Sequence, residues 1–294
     1  MFQTLQRSWD LAKETWDVLR QDRALVIFPI MSGIASLLVF ASFIIPVGLM
    51  VWNQGDHTTG ARAHFEPGPL HYGLTFLYYL VSYFVVVFFN AGLVACVRMR
   101  FEGGTPTVSD GLSFSMRNIG LIFKWSLLSA TVGTILRAVE ERASWLGRIV
   151  IGLIGLAWSI ATVFAVPVLV YDQVGPVEAV KRSVQAFRRT WGETVVANFG
   201  LNTVFSLLFV PSIILLVIAG VIAGGLVQTS ATQAGIVFGV ALVVCVIYWL
   251  SLAIIQSTLQ GIFLTACYHY ASTGVVPSAF SQEHVMHAWR PKTR

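Results

Sequence analysis

The chain alternates between long apolar runs and short clusters of Arg, Lys, Gly and Pro. Apolar runs cover 24–51, 70–97, 119–136, 149–171, 195–227 and 236–268. Each reaches or exceeds the roughly 17 residues that a helix needs to cross the hydrocarbon core. Closed membrane barrels instead write short segments of alternating polarity, so the runs predict helices. The fold class expected is an all-α integral membrane protein with about six transmembrane helices.

A different periodicity precedes some of these runs. Residues 7–16 read RSWDLAKETW and residues 182–191 read RSVQAFRRTW, a constant offset of 175. Phe2, Leu5, Trp9, Ala12 and Trp16 form one apolar set, and Val177, Val180, Val184, Phe187 and Trp191 form the other. Steps of 3 and 4 place each set on one helical face. Arg7 and Lys13 in the first copy, and Lys181, Arg182, Arg188 and Arg189 in the second, fall on the opposite face and flanks. Helices of this kind are too polar to span and should lie in the headgroup layer. A weaker version follows Pro106, with Leu112, Met116, Ile119 and Phe123 in the same spacing. The pattern predicts three hairpins, each preceded by an interfacial amphipathic helix, as units 1–97, 98–171 and 172–268 of one membrane domain, with a polar tail at 269–294.

Composition agrees with this reading. Of 294 residues, 56% are hydrophobic and 11% charged, and the mean hydropathy is +0.74. An ordinary soluble domain carries about 25% charged residues. The first 23 residues are charged and the first apolar run is long, so no cleavable signal is expected and the first span should serve as an anchor. With both termini in the cytoplasm, most Arg and Lys fall on the inner side. The positive-inside rule then predicts a multi-pass protein of the bacterial inner membrane in that orientation. The same bias accounts for the net charge of +5. Anionic phospholipid is therefore the expected partner, with a membrane-protein partner also open, and nucleic acid is not expected.

The stretch PVLVYDQVGPVEAVKRSVQAFRRTW resembles a group of uncharacterised bacterial six-span membrane proteins, distantly similar to the membrane domain of some glycerophosphodiester phosphodiesterases. The features that carry the likeness are Pro167, Asp172, Gly175, Lys181, Arg182 and Ser183. The resemblance implies an architecture and no activity.

Polar residues inside the spans are the candidates for chemistry. They are Asn90, Lys124, Asn198, Asn202, Gln256 and Gln260, all expected in the cytoplasmic half. Hydrocarbon offers no hydrogen-bond partner, so such groups face other helices or a wet cavity. One reading is a lipid or ligand cavity open to the cytoplasm. The other is amides that bridge helices at roughly 0.6 kcal/mol each, with Lys124 reaching to the interface.

His57, His64 and His71, with Asp56 and Glu66, share a Gly/Pro-rich loop at a spacing that matches no zinc signature. His284 and His287 lie in the tail. Cys96, Cys245 and Cys267 sit in apolar runs as packing residues. No metal or cofactor is expected, and no hydrolase, protease or nucleotide-binding motif occurs in a supporting context. Gly220 with Gly224, and Gly235 with Gly239, form two small-residue stripes that predict close packing within the last hairpin, or self-association. Pro29, Pro167 and Pro211 are candidate kinks. The functional expectation is a non-enzymatic protein that engages lipid or a membrane partner through its cytoplasmic face. A small transporter or exporter of amphipathic solutes is the alternative.

Overall fold

The computed structural model describes residues 15–54, 69–227 and 230–277, with the side chains at 47–54, 69–71 and 191–204 left aside. Arg7, Lys13 and most of the first decapeptide fall outside the described residues. Helix α1 occupies residues 15–21, and a short 3-10 turn, Arg23–Val26, leads into α2, Ile27–Gln54. There follow α3 (Pro69–Phe101), α4 (Val108–Arg117), α5 (Ile119–Arg142), α6 (Trp145–Ala161), α7 (Ala165–Asp172), α8 (Pro176–Leu226) and α9 (Ala231–Thr273). Among the described residues, six helical segments are long and apolar enough to cross a membrane: Arg23–Pro46, Tyr72–Phe101, Ile119–Arg142, Trp145–Asp172, Phe205–Leu226 and Ala231–Thr273. This is the all-helical, six-span membrane architecture that the apolar runs predict.

The fourth segment departs from expectation because it is broken. Proline cannot donate a backbone hydrogen bond, and its ring clashes with the carbonyl four residues earlier. For Pro167 that carbonyl belongs to Val163, and the helix stops at Ala161 and restarts at Ala165. The Phe164 amide is freed by the break. It donates instead to the Ser183 hydroxyl of α8 at 3.1 Å, in a buried setting.

Helix α8 runs on from the surface segment into the fifth span as one rod. It bends at Thr190, where φ −119° and ψ 15° leave the helical region. The rod continues through Pro211, and α9 bonds to it nearby. The Tyr248 hydroxyl donates to the Leu208 carbonyl at 2.9 Å, and Trp249 Nε1 donates to the Ser212 hydroxyl at 2.7 Å. Of the stripe glycines, Gly220 alone comes near the facing helix, where a Cβ would lie 3.9 Å from the Phe238 ring. A Cβ at Gly224, Gly235 or Gly239 would meet nothing within 4 Å, while Ala219, Ala223 and Ala234 are the buried small residues there.

Burial is concentrated at one end of the bundle. This is where α2 begins, α3 ends, α5 begins, α7 ends, α8 begins and α9 ends, and it carries Arg20, Arg23, Arg98, Arg100, Arg117, Lys181, Arg182, Arg188 and Arg189. Leu25, Phe28, Leu93, Val97, Ile122, Trp125, Phe164, Val168, Val170, Ile262 and Phe263 form its core. The short helices close it. Helix α4 is started by a reciprocal cap, in which the Thr107 hydroxyl accepts from the Asp110 amide and the Asp110 carboxylate accepts from the Thr107 amide. It crosses α3 where Gly111 and Gly92 meet, and a Cβ on Gly111 would lie 2.5 Å from Phe28 Cζ and 2.6 Å from the Gly92 carbonyl oxygen. Ser115 adds a hydroxyl bond to the Phe88 carbonyl at 2.8 Å. At the opposite end the helices leave their apolar residues outward, and α6 has no buried residue at all.

Candidate functional site

The end of α7 builds the site. Gln173 adopts a left-handed conformation (φ 51°), which stops α7 and turns the chain through Val174 and Gly175 into α8, where Pro176 occupies the first turn. Proline suits that position because its missing amide would have no partner there. The turn brings Asp172 against the first turns of α8. Asp172 Oδ2 accepts from Arg182 Nη1 at 2.7 Å and from the Tyr268 hydroxyl of α9, also at 2.7 Å. Arg182 Nε donates to Glu178 at 3.3 Å. These bonds, first to Asp172 and then to Glu178, hold the Arg182 pKa above its ordinary value. One carboxylate thus ties together three helices.

A second set of bonds continues the clamp. Arg189 Nη1 donates to the Ala271 carbonyl at 3.0 Å, near the end of α9. Arg98 of α3 donates to the Val170 carbonyl at 3.3 Å and to Glu102 at 2.9 Å, and its guanidinium lies 4.7 Å from the centre of the Tyr171 ring. The Tyr171 hydroxyl is 3.3 Å from His269 Nδ1. Arg100 bonds Gln21 at 2.7 Å and pairs with Asp22 at 3.1 Å, fixing α1 to α3. Between α7, α8 and α9 these groups leave a polar cleft of about 430 Å³, lined by Asp172, Glu178, Arg182, Gln185, Arg189 and Tyr268 among others. It offers guanidinium and amide donors beside two carboxylate acceptors.

Comparison with known proteins assigns the architecture to a family. Residues 70–278 match the family of unknown function DUF6159. The chain belongs to this family. The DUF6159 region takes in α3 to α9 and every residue named as lining the cleft. No curated protein and no solved structure matches the chain. The six-span expectation stands with the DUF6159 match, and nothing found supports the likeness to phosphodiesterase membrane domains.

Within the DUF6159 region the polar residues singled out from the sequence differ in exposure. Lys124 is exposed on α5, and Asn90, Gln256 and Gln260 are half-buried. The side chains of Asn198 and Asn202 lie outside the described residues. His57, His64, His284 and His287 also lie outside, as does the His71 side chain; among the described residues no three His, Cys, Asp or Glu come together.

The basic residues behave differently from one another. Lys181, Arg188 and Arg189 are exposed on α8; Arg182 bonds to α7 and Arg189 to α9, and these two line the cleft. The large apolar residues of that helix are divided, with Val180 and Phe187 half-buried against the core. Val177 is exposed, and the fully buried line is Ala179, Ser183, Ala186 and Thr190, small residues that let the backbone approach the span ends. Reading the large side chains alone missed Tyr171, Tyr268, His269 and Arg98. A usable signal was present: the fourth and sixth apolar runs both end in Tyr followed by a polar residue, Tyr171-Asp172 and Tyr268-His269.

Proposed function

We propose that this chain is a non-enzymatic membrane protein that engages lipid headgroups or a membrane partner through its basic end. The supporting observation is the contrast in chemistry between the two ends. One end gathers the short helices, the cations and an open polar cleft, while the apolar faces of the spans sit toward the other. Placed by the positive-inside rule, the basic end faces the cytoplasm in a bacterial inner membrane, with both termini on that side. Short helices such as α4 and the first part of α8 then lie at the depth of the headgroups. Exposed Lys181 and Arg188 attract anionic phospholipid, at about 1 kcal/mol for each cation near the surface.

Native mass spectrometry of the gently extracted full chain tests this reading. Anionic lipid should remain bound, and a Lys181→Gln, Arg188→Gln variant should bind it roughly thirtyfold more weakly. Equal retention by both, or none by the parent chain, contradicts it.

The second reading is a small transporter or exporter of amphipathic solutes. The helix break at residues 162–164 favours it, since α6 hangs from a packed α7 by a non-helical link. Single cysteines in α6 whose labelling changes when amphipathic solute is added would support it, and solute-independent labelling would not.

A further inference from the structure

The cleft between α7, α8 and α9 has a charge pattern of its own. Glu178, Arg182, Gln185 and Arg189 follow at steps of 4, 3 and 4, so they form one face of α8 leading to the bend at Thr190. The two carboxylates are already compensated. Asp172 pairs with Arg182 at 2.7 Å, and Glu178 lies between Arg182 at 3.3 Å and Lys181 at 3.8 Å. Arg189 donates to a neutral carbonyl, and among the described residues no carboxylate lies within ion-pair distance of it. Counting Lys181, the described residues of the site hold three cations and two anions, an excess of one positive charge. That excess sits at the Arg189 end, next to exposed Gln185 and one residue before the bend at Thr190.

We propose that the cleft binds a phosphodiester carrying free hydroxyl groups, the headgroup of a phosphatidylglycerol-type lipid, with its phosphate on Arg189 and its hydroxyls on Gln185 and the Asp172–Glu178 carboxylates. The proposal rests on the lipid-engaging reading above and specifies its site. A single negative charge matches the single excess cation, and guanidinium suits phosphate because it presents several donors in a plane. The carboxylates, neutralised by their arginine and lysine, act as hydroxyl acceptors and exert no net pull on a cation. Gln185 and Arg189 are four residues apart, about 6 Å along the helix axis, so one headgroup can reach both. The bend places this end of the cleft where a lipid of the basic-side leaflet can enter.

The test compares two lipids of equal charge. The detergent-solubilised full chain is titrated by native mass spectrometry with short-chain phosphatidylglycerol and with phosphatidylmethanol, which has the same phosphodiester and no hydroxyl. The proposal expects phosphatidylglycerol to bind about tenfold more tightly. Gln185→Ala should remove most of that preference while leaving phosphatidylmethanol unchanged, and Arg189→Gln should weaken both. Arg188→Gln, an exposed cation outside the cleft lining, should weaken both lipids and preserve their ratio. Equal binding of the two lipids by the parent chain, or an unchanged ratio in Gln185→Ala, overturns the proposal. Should Arg189→Gln fail to fold, Gln185→Ala carries the test, because that side chain is exposed. Glycerophosphoglycerol, which lacks acyl chains, separates the sources: binding of this soluble ester with no binding of the lipid overturns the headgroup assignment. Retention of anionic lipid without discrimination between the two would leave the broader reading standing and remove this site.

Discussion

Helices α6 and α7 are consecutive pieces of one apolar run, yet they have opposite surroundings. In α7, Ala165, Pro167, Val168, Leu169 and Val170 are all buried, while in α6 Leu146, Ile149, Val150, Leu153 and Ile154 all face outward. Their compositions are equally greasy, so hydrophobicity did not choose which would be packed. Position did: α7 lies at the basic end, where α1, α4 and the first part of α8 add a second layer around the span ends. The outward side chains of α6 are left for lipid. In a membrane protein of this kind, the packed core and the apolar surface are separated along the helix axis, and each end answers to different physics.

Truncations should expose that difference most strongly. Phe28→Ala removes a ring buried to 1% exposure and should cost about 3–5 kcal/mol of stability. Leu153→Ala, on α6, should stay within about 0.5 kcal/mol. Thermal or denaturant unfolding in a fixed detergent measures both, and comparable losses would erase the distinction between the ends.

Added bulk gives the next effect. Gly111→Ala forces a methyl group into Phe28 and the Gly92 carbonyl, and overpacking should cost about 1–3 kcal/mol. Gly239→Ala, where a Cβ meets nothing, should be neutral or slightly stabilising, since alanine is the better helix former. If instead Gly239→Ala destabilises the chain as Gly111→Ala does, the opposite end is more tightly packed than described.

Ser183→Ala sharpens the account of the broken span. It strands the buried Phe164 amide and should cost about 1–3 kcal/mol. Ser183→Thr, which keeps a hydroxyl, should recover part of the loss, and a loss identical to that of alanine would show that the hydroxyl bond does not hold the break.

The smallest effect belongs to the α4 cap. Thr107→Ala should cost about 1 kcal/mol. Bonds from the Thr107 hydroxyl and amide hold the Asp110 carboxyl below its ordinary pKa. A carboxyl depressed on folding stabilises the folded state above its unfolded-state pKa, and that contribution disappears as pH falls through the lower folded-state value. Parent stability should therefore drop over this acid window by more than in Asp110→Asn, when both are followed by unfolding at stepped pH. Parallel curves would count against the cap.

The spans were legible in the sequence because crossing a bilayer demands a long apolar run, and that signal is strong. The first, second, third and sixth appear with ends shifted by up to about six residues, and α8 runs from Pro176 into the fifth, Phe205–Leu226. The fourth span was legible only in part. Pro167 was recognisable as a candidate kink, but the partner that accepts the freed amide, Ser183, is 19 residues away and on another helix. The repeat periodicity directed attention to Val177 and Phe187, whereas Ala179, Ser183 and Ala186 carry the packing, because close helix crossings favour small residues over large ones. The candidate site was obscured for a related reason. Positive charge near a membrane reads as a lipid contact, and only geometry separates Arg182 and Arg189, which clamp helices, from Lys181 and Arg188, which remain outward.

The division between a packed basic end and a lipid-facing remainder is tested most directly by footprinting. A carbene reagent confined to the hydrocarbon of reconstituted bilayers should label α6 along its length, at residues such as Leu153 and Ile154, and spare Val168 and Val170 of α7. Labelling of α7 with α6 protected would contradict the account.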